Sequence, residues 1–322
     1  MARKRSLEET LQALRRVREE PGTEASRTEL RRVLTGEGAH AVARAASLVA
    51  ELELEPFVPE LVAAFPRFFA DLPKSDPGCS AKTAIVEALR RLGQDQGELY
   101  RRAARHVQME PVFGGRVDTA VDLRGAAALA LAETGGRDVL GLLAELLADP
   151  EPPVRISAAR AVAGHGSGAG APLLRLRALV PDKEPRVVSE CLLALLRLDA
   201  RGERAFVETF LEKPDELAEA AALALGESRL PEAFAALRGW LPQAARRGLS
   251  RTALLAVASL RRDEALDWLL AIVRDEPAVL AREALQALGS LGGEPLGERA
   301  REAAAARPEL TAAFAKAFAR TR

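Results

Sequence analysis

The run Asp149-Pro-Glu-Pro-Pro-Val-Arg-Ile-Ser-Ala-Ala-Arg-Ala-Val-Ala163 gives the clearest indication of the fold. Its first half is typical of a turn, and proline is well tolerated in the first turn of a helix. Its second half places small and aliphatic residues at helical spacing, which predicts a helix with one narrow apolar face. Small side chains on that face allow a neighbouring helix to approach closely.

The same helix recurs along the chain at intervals of 42, 31, 33, 30, 32 and 31 residues. An alanine followed by Leu or Val marks each copy: Ala88, Ala130, Ala161, Ala194, Ala224, Ala256 and Ala287. A weaker eighth copy is centred on residues 42–50. Each interval accommodates two short helices, and one such pair cannot bury its apolar face alone. The repeat therefore predicts stacked helix pairs that share one continuous core.

The composition agrees with an all-α fold, because Ala, Leu, Arg and Glu favour helices and only 4% of the 322 residues are aromatic. We predict one domain over residues 1–322. Capping helices occupy residues 1–37, repeats occupy 38–292, and further capping helices occupy 293–322. The two terminal helices of this scheme are expected near residues 7–18 and 308–318.

Charge and cysteine content exclude several functional classes. Lys plus Arg equals Asp plus Glu at 46 each, so no overall field attracts nucleic acid or an anionic membrane. Cys79 and Cys191 lack the spacing of a zinc site or a disulfide framework. The three histidines, His40, His106 and His165, fit no metal motif. We therefore predict a cytoplasmic monomer without metal, cofactor or membrane segment.

Residues 149–163 resemble the HEAT repeat, in the short bacterial form that also occurs in phycobilisome-lyase-like proteins. The family pattern has an aspartate at the turn between helices and a basic residue six positions later. Three pairs meet it: Asp76 with Lys82, Asp118 with Arg124, and Asp149 with Arg155. The resemblance covers roughly residues 38–292. It implies a right-handed α-solenoid in which these pairs form a ladder that ties adjacent units together.

The later units depart from this ladder. Asp182 and Asp275 keep the acidic position, but Val188 and Ala281 occupy the basic one. The ladder is therefore expected to be continuous only in the N-terminal half.

The 42-residue interval contains an insertion at residues 107–117. Insertions in helical repeats lie in loops on one face and are often the binding face. One interpretation is that Val112 and Phe113 fold back to fill a gap between units; the other is that they contact a partner. For the second, the predicted partner-binding residues are Met109, Glu110, Phe113, Arg116 and Asp122.

Two polar features of this region suggest chemistry. Asp118 and Asp122, four residues apart, would share a helix face and need a cation or Arg124 to balance their charge. Cys79 would be a nucleophile if His106 approached it and its position near a helix start lowered the thiol pKa. A buried packing role for Cys79 is the alternative, and it is the role predicted for Cys191.

Two groups of arginines raise the possibility of nucleic-acid binding, as in the alkylpurine DNA glycosylases built from HEAT-like repeats. They are Arg90, Arg91, Arg101, Arg102 and Arg105, and Arg246, Arg247, Arg251, Arg261 and Arg262. Zero net charge and few aromatic residues favour the simpler interpretation that these arginines lie on solvated helix faces. We predict a non-catalytic scaffold that binds a protein on its concave face and at residues 107–117. A nucleic-acid-binding module and a lyase-like ligand-handling protein remain the alternatives.

Overall fold

A computed structural model describes residues 6–36, 38–136 and 138–319. The predicted capping segments extend beyond these ranges, and residues 1–5, 37 and 320–322 of them lie outside the described residues. Across the described ranges, no helix has the length and apolar character required to cross a membrane.

The described chain is built almost entirely from α-helices. In chain order they are α1 Leu7–Glu19, α2 Glu24–Leu34, α3 Ala39–Glu51, α4 Val58–Ala64, α5 Ser80–Arg91, α6 Gly97–Ala104, α7 Val121–Thr134, α8 Val139–Leu147, α9 Pro152–His165, α10 Ala171–Leu179, α11 Pro185–Leu198, α12 Ala200–Glu208, α13 Asp215–Ser228, α14 Pro231–Arg246, α15 Ser250–Ser259, α16 Asp263–Asp275, α17 Ala278–Leu291, α18 Glu294–Ala304 and α19 Thr311–Phe318. Two strands, β1 Met109–Val112 and β2 Gly115–Asp118, lie between α6 and α7.

The helices stack as pairs, as the repeat predicts. The second helix of each pair packs against the second helix of the next, first through α3, α5, α7 and α9 and then through α11, α13, α15 and α17. All seven alanines of the marker column are buried. The fold class is therefore an all-α stack of two-helix repeats, and the small residues line the contacts between successive repeats.

The chain divides into two compact units between Gly166 and Ser167. The first contains α1 to α9 with both strands, and the second contains α10 to α19. Close helix approach in the second unit depends on glycine: a side chain at Gly226 of α13 would overlap the backbone of Ala256 in α15.

The insertion is not an irregular loop. Met109–Val112 and Gly115–Asp118 form an antiparallel hairpin in which Met109 pairs with Asp118 and Val112 pairs with Gly115. Phe113 and Gly114 make the turn, where Gly114 takes a φ of +86° that few other residues adopt. The strands are short and Pro111 interrupts the first, so the alternation that marks a strand was too brief to recognise.

Candidate functional site

The base of the hairpin is fastened to the helices by a buried lysine. The ammonium of Lys82, in the first turn of α5, donates to the Phe68 carbonyl at 3.1 Å and to Gln108 Oε1 at 2.9 Å. It also lies 3.3 Å from a carboxylate oxygen of Asp76. Lys82 and Asp76 are both fully buried. A buried charge is tolerated only when it is paired and hydrogen-bonded, and Lys82 meets both conditions.

Asp76 and Gln108 complete this connection. Asp76 accepts hydrogen bonds from the backbone N–H groups of Ala81 and Lys82, so it caps the start of α5. The Gln108 amide donates to the Asp76 carbonyl at 2.8 Å. Gln108, which precedes β1, is thereby joined to the turn at Asp76 that precedes α5.

Glu110 anchors β1 from within the hairpin. Its Oε1 accepts hydrogen bonds from the Gly78 N–H, the Gln108 amide and the Thr119 hydroxyl, each at 2.7 Å. Burial opposes ionisation of this carboxyl, but the three hydrogen bonds outweigh it and lower the pKa of Glu110. Glu110 was predicted to contact a partner; in the structure its Oε1 holds the hairpin in place.

Arg124 closes the other side of the hairpin base. Its guanidinium contacts a carboxylate oxygen of Asp118 at 2.7 Å and one of Asp149 at 2.8 Å, and it donates to the His106 carbonyl at 2.9 Å. The arginine is only 2% exposed. Burial opposes its charge, but the two carboxylates outweigh burial and raise the pKa of Arg124. One arginine thus joins β2 to the turn of the next repeat.

Asp118 is also bonded by backbone groups. Burial raises the pKa of its carboxyl, but the N–H groups of Ala120 and Gln108 together with Arg124 outweigh burial, so the net pKa is lowered. Asp118 ends β2 and is not part of α7, which begins at Val121. The expectation that Asp118 and Asp122 share a helix face is therefore wrong.

The third predicted pair has a different geometry. Arg155 donates to the carbonyls of Asp149 and Pro150 at 2.7 and 2.8 Å. Further along the chain, Asp182 is ion-paired with Arg177 at 2.8 Å. Arg177 precedes the aspartate by five residues, so a search for a base six positions later could not find it.

In contrast to its base, the hairpin surface is apolar and exposed. Phe113 at the turn is fully exposed, Met109 is 40% exposed, Val112 is 50% exposed and Val117 is 45% exposed. Phe113 and Val112 do not fold back to fill a gap between repeats. A protein that keeps several large apolar side chains in water at one place commonly uses them for binding.

The structure does not provide the conditions under which Cys79 would be a nucleophile. Cys79 is fully buried, and burial raises the pKa of its thiol to about 11. His106 lies instead against the Phe69 ring, with ring centroids 4.8 Å apart, and burial lowers its pKa. The buried environment of Cys79 fits its packing role, and the lowered thiol pKa that a nucleophilic role required is not found because the start of α5 is buried. Cys191 is buried too, and burial raises its pKa to about 12.

Several arginines of the two proposed basic groups are engaged by the protein itself. Arg90 contacts Glu133 at 2.6 Å and Arg105 contacts Glu145 at 3.1 Å. Arg102 lies over the Phe69 ring at 3.7 Å from its centroid. Arg247 contacts Asp215 at 2.7 Å and donates to the Leu211 carbonyl. These contacts reduce the positive charge that either group presents to a phosphate backbone.

Four of the five predicted partner-binding residues lie together in the hairpin, and one lies outside it. Met109, Glu110, Phe113 and Arg116 all belong to the hairpin, whereas Asp122 lies exposed in the first turn of α7. Gln108 and Thr119, which flank the strands and connect them to Asp76 and Glu110, were not singled out. Both are uncharged, and neither carries a spacing signal that could have identified it.

Residues 116–197 match the protein family described as HEAT repeats. For that segment the match confirms the resemblance found in the sequence, and the chain contains HEAT repeats. No curated protein matches the chain.

The solved structures similar to this chain include two that share 18% identity with it. The crystal structure of an engineered protein from the Northeast Structural Genomics Consortium has 18% identity and a TM-score of 0.39, covering 99% of this chain and 95% of that one. The complex of CpcE and CpcF of phycocyanin lyase from Nostoc sp. PCC7120 has 18% identity and a TM-score of 0.36, covering 89% of this chain and 96% of that one.

Proposed function

We propose that this protein is a non-catalytic scaffold that binds a protein partner through the hairpin at residues 109–118. The observation that carries the proposal is the contrast between the two ends of the hairpin. Its base is fixed by buried charges at Lys82 and Arg124, whereas Phe113 at its turn is fully exposed. HEAT repeats typically mediate protein interactions, which supports the same conclusion.

A fixed hairpin suits binding because its ordering cost is met during folding. The partner then gains the contact with Met109, Val112 and Phe113 without first having to immobilise the segment that carries them. Aromatic side chains at the centre of an interface commonly contribute most of the binding energy. We propose Phe113 as that anchor, with Met109 and Arg116 beside it.

The row of second helices, predicted to line a concave face, is proposed to supply the remaining contact surface. We place the protein in the cytoplasm as a monomer, in keeping with two buried cysteines that form no disulfide. The high thiol pKa of Cys79 weighs against a lyase-like activity that would use it as a nucleophile.

The test is site-specific crosslinking. A photoreactive phenylalanine analogue replaces Phe113 in one sample and Val279, which is 68% exposed in α17, in a matched control. We expect the Phe113 position, and not the Val279 position, to crosslink one protein reproducibly in native lysate after nuclease treatment.

Substitution then measures the contribution of the anchor. Phe113→Ser should weaken binding of the crosslinked protein by about thirtyfold or more, as for an interface hot spot. Because the side chain is exposed, stability should change by less than about 0.5 kcal/mol. Val279→Ser should alter neither property. Unchanged binding by Phe113→Ser would refute the proposal. Crosslinked material that disappears after nuclease treatment would favour the nucleic-acid alternative.

A further inference from the structure

The hairpin has two outer edges, and its hydrogen-bonding pattern defines what each one offers. The Thr119 N–H donates to the Gln108 carbonyl at 2.9 Å, so Gln108 and Thr119 occupy the position of a hydrogen-bonded pair, although the Gln108 N–H donates to the Asp118 carboxylate instead. Such pairs alternate with pairs whose backbone groups point away from the partner strand. By the strand register, Pro111 opposite Arg116 is a pair of the second kind. Their backbone groups therefore face outward.

The outer edge of β1 is closed to another strand. Pro111 has no N–H to donate. The Met109 carbonyl, which also points outward, already accepts a hydrogen bond from the Arg116 guanidinium at 3.0 Å. Proline and charged side chains are the usual means by which proteins prevent further strand pairing at an edge.

The outer edge of β2 is open. By the strand register, the backbone N–H and C=O of Arg116 point away from β1, and this residue is exposed. Next to it, Val117 shares one face of the hairpin with Val112, and the two are 45% and 50% exposed. The edge thus offers an outward N–H, an outward carbonyl and an apolar strip. The Arg116 guanidinium lies across the opposite face of the hairpin, where it bonds to the Met109 carbonyl, and no carboxylate of the described residues pairs with its charge.

We infer that the β2 edge receives an extended segment of the protein partner, which adds to the hairpin as a third strand. This inference rests on the proposed function and specifies its partner chemistry. An apolar residue of the segment lies beside Val117, and an acidic residue lies beside Arg116, whose charge it complements. Main-chain hydrogen bonds to Arg116 give affinity, and the two side-chain positions give selectivity.

The test selects random linear peptides displayed on phage against the immobilised full chain, then compares two variants at one position. Arg116→Pro removes the outward N–H and the guanidinium, whereas Arg116→Ala removes the guanidinium alone. The difference between the variants therefore reports the N–H. We expect enriched peptides to carry an acidic residue adjacent to a β-branched or aromatic one. We also expect Arg116→Pro to bind them about tenfold more weakly than Arg116→Ala.

Amide exchange of the unmodified chain provides a second measurement that does not depend on the fold of a variant. A bound peptide should slow exchange at the Arg116 N–H. It should leave the Val117 N–H unchanged, because the register places Val117 opposite Glu110 as a pair whose backbone groups face each other. Equal binding by the two variants with no slowing at Arg116 would overturn the inference, as would the absence of any peptide that depends on the hairpin. If either of these negative results is found but Phe113→Ser still loses the crosslinked partner, only the third-strand inference fails and the proposed function is retained.

Discussion

Replacement of Arg124 by methionine tests whether the buried ladder holds the hairpin and the repeats together. Methionine fills a similar volume but leaves the carboxylates of Asp118 and Asp149 without the cation that lies 2.7 and 2.8 Å from them. The His106 carbonyl also loses its donor at 2.9 Å. Removal of one member of a buried ion pair typically costs about 3 to 5 kcal/mol. We expect Arg124→Met to lower the free energy of unfolding by that amount at neutral pH.

The loss of unfolding free energy caused by Arg124→Met should become smaller as the pH is lowered. The folded pKa of Asp118 is lowered, so its contribution to stability is present above the unfolded value of about 3.9 and is lost as pH falls through the folded pKa. In Arg124→Met, burial of Asp118 is opposed by backbone N–H groups alone, so the carboxyl protonates at a higher pH. The stability difference between the parent protein and the variant should therefore shrink as pH falls from about 7 to about 4.

Urea unfolding followed by circular dichroism measures both effects, provided the slope with denaturant is unchanged. Arg105→Met is the matched control, because the ion pair of Arg105 with Glu145 is exposed and should contribute at most about 1 kcal/mol. A cost for Arg124→Met no larger than that of Arg105→Met, or one independent of pH, would refute the reasoning.

Two further predictions concern packing and thiol reactivity. Gly226→Ala should destabilise the protein by about 1 to 3 kcal/mol in thermal unfolding, because the added methyl overlaps the backbone of Ala256. Gly239→Ala is the control and should stabilise the protein slightly, because open space surrounds Gly239. Equal effects of the two substitutions would contradict the close approach of α13 and α15. Cys79 and Cys191 should resist iodoacetamide at pH 8 in the folded protein and react in urea, as read by intact mass; alkylation of Cys79 before unfolding would show that its thiol is accessible.

The repeat was predictable because packing imposes it. Each marker alanine is buried in a second helix that packs against another second helix, so we expect a larger residue at Ala130 or Ala161 to push α7 and α9 apart. The constraint recurs in every repeat and therefore leaves a periodic trace in the sequence. The pairing of Asp118 with Arg124 was expected from the resemblance to the HEAT repeat.

The contact of Arg124 with Asp149 is of the kind that the HEAT-like ladder implied, whereas the contact of Lys82 with Gln108 left no trace in the sequence. The hydrogen bond from Arg124 to Asp149 joins residues 25 positions apart, and the one from Lys82 to Gln108 joins residues 26 positions apart. Gln108 precedes the inserted hairpin, which the other repeats lack in the part of the chain that the structure describes, so no repeat spacing could indicate its contact with Lys82. The burial that raises the pKa of Cys79 is likewise a property of the assembled fold, which the residues around the cysteine do not specify.

The fixed base of the hairpin also affects how this protein can change. The contacts that hold the hairpin involve Gln108, Glu110, Asp118 and Thr119, whereas the turn at 113–114 contributes nothing to them. Substitutions at Phe113 can therefore accumulate with little loss of stability, whereas the φ of +86° constrains Gly114. Under the proposed function, partner choice can then diverge between descendants that keep the same helices. The same separation makes the turn a suitable point for grafting a foreign recognition sequence.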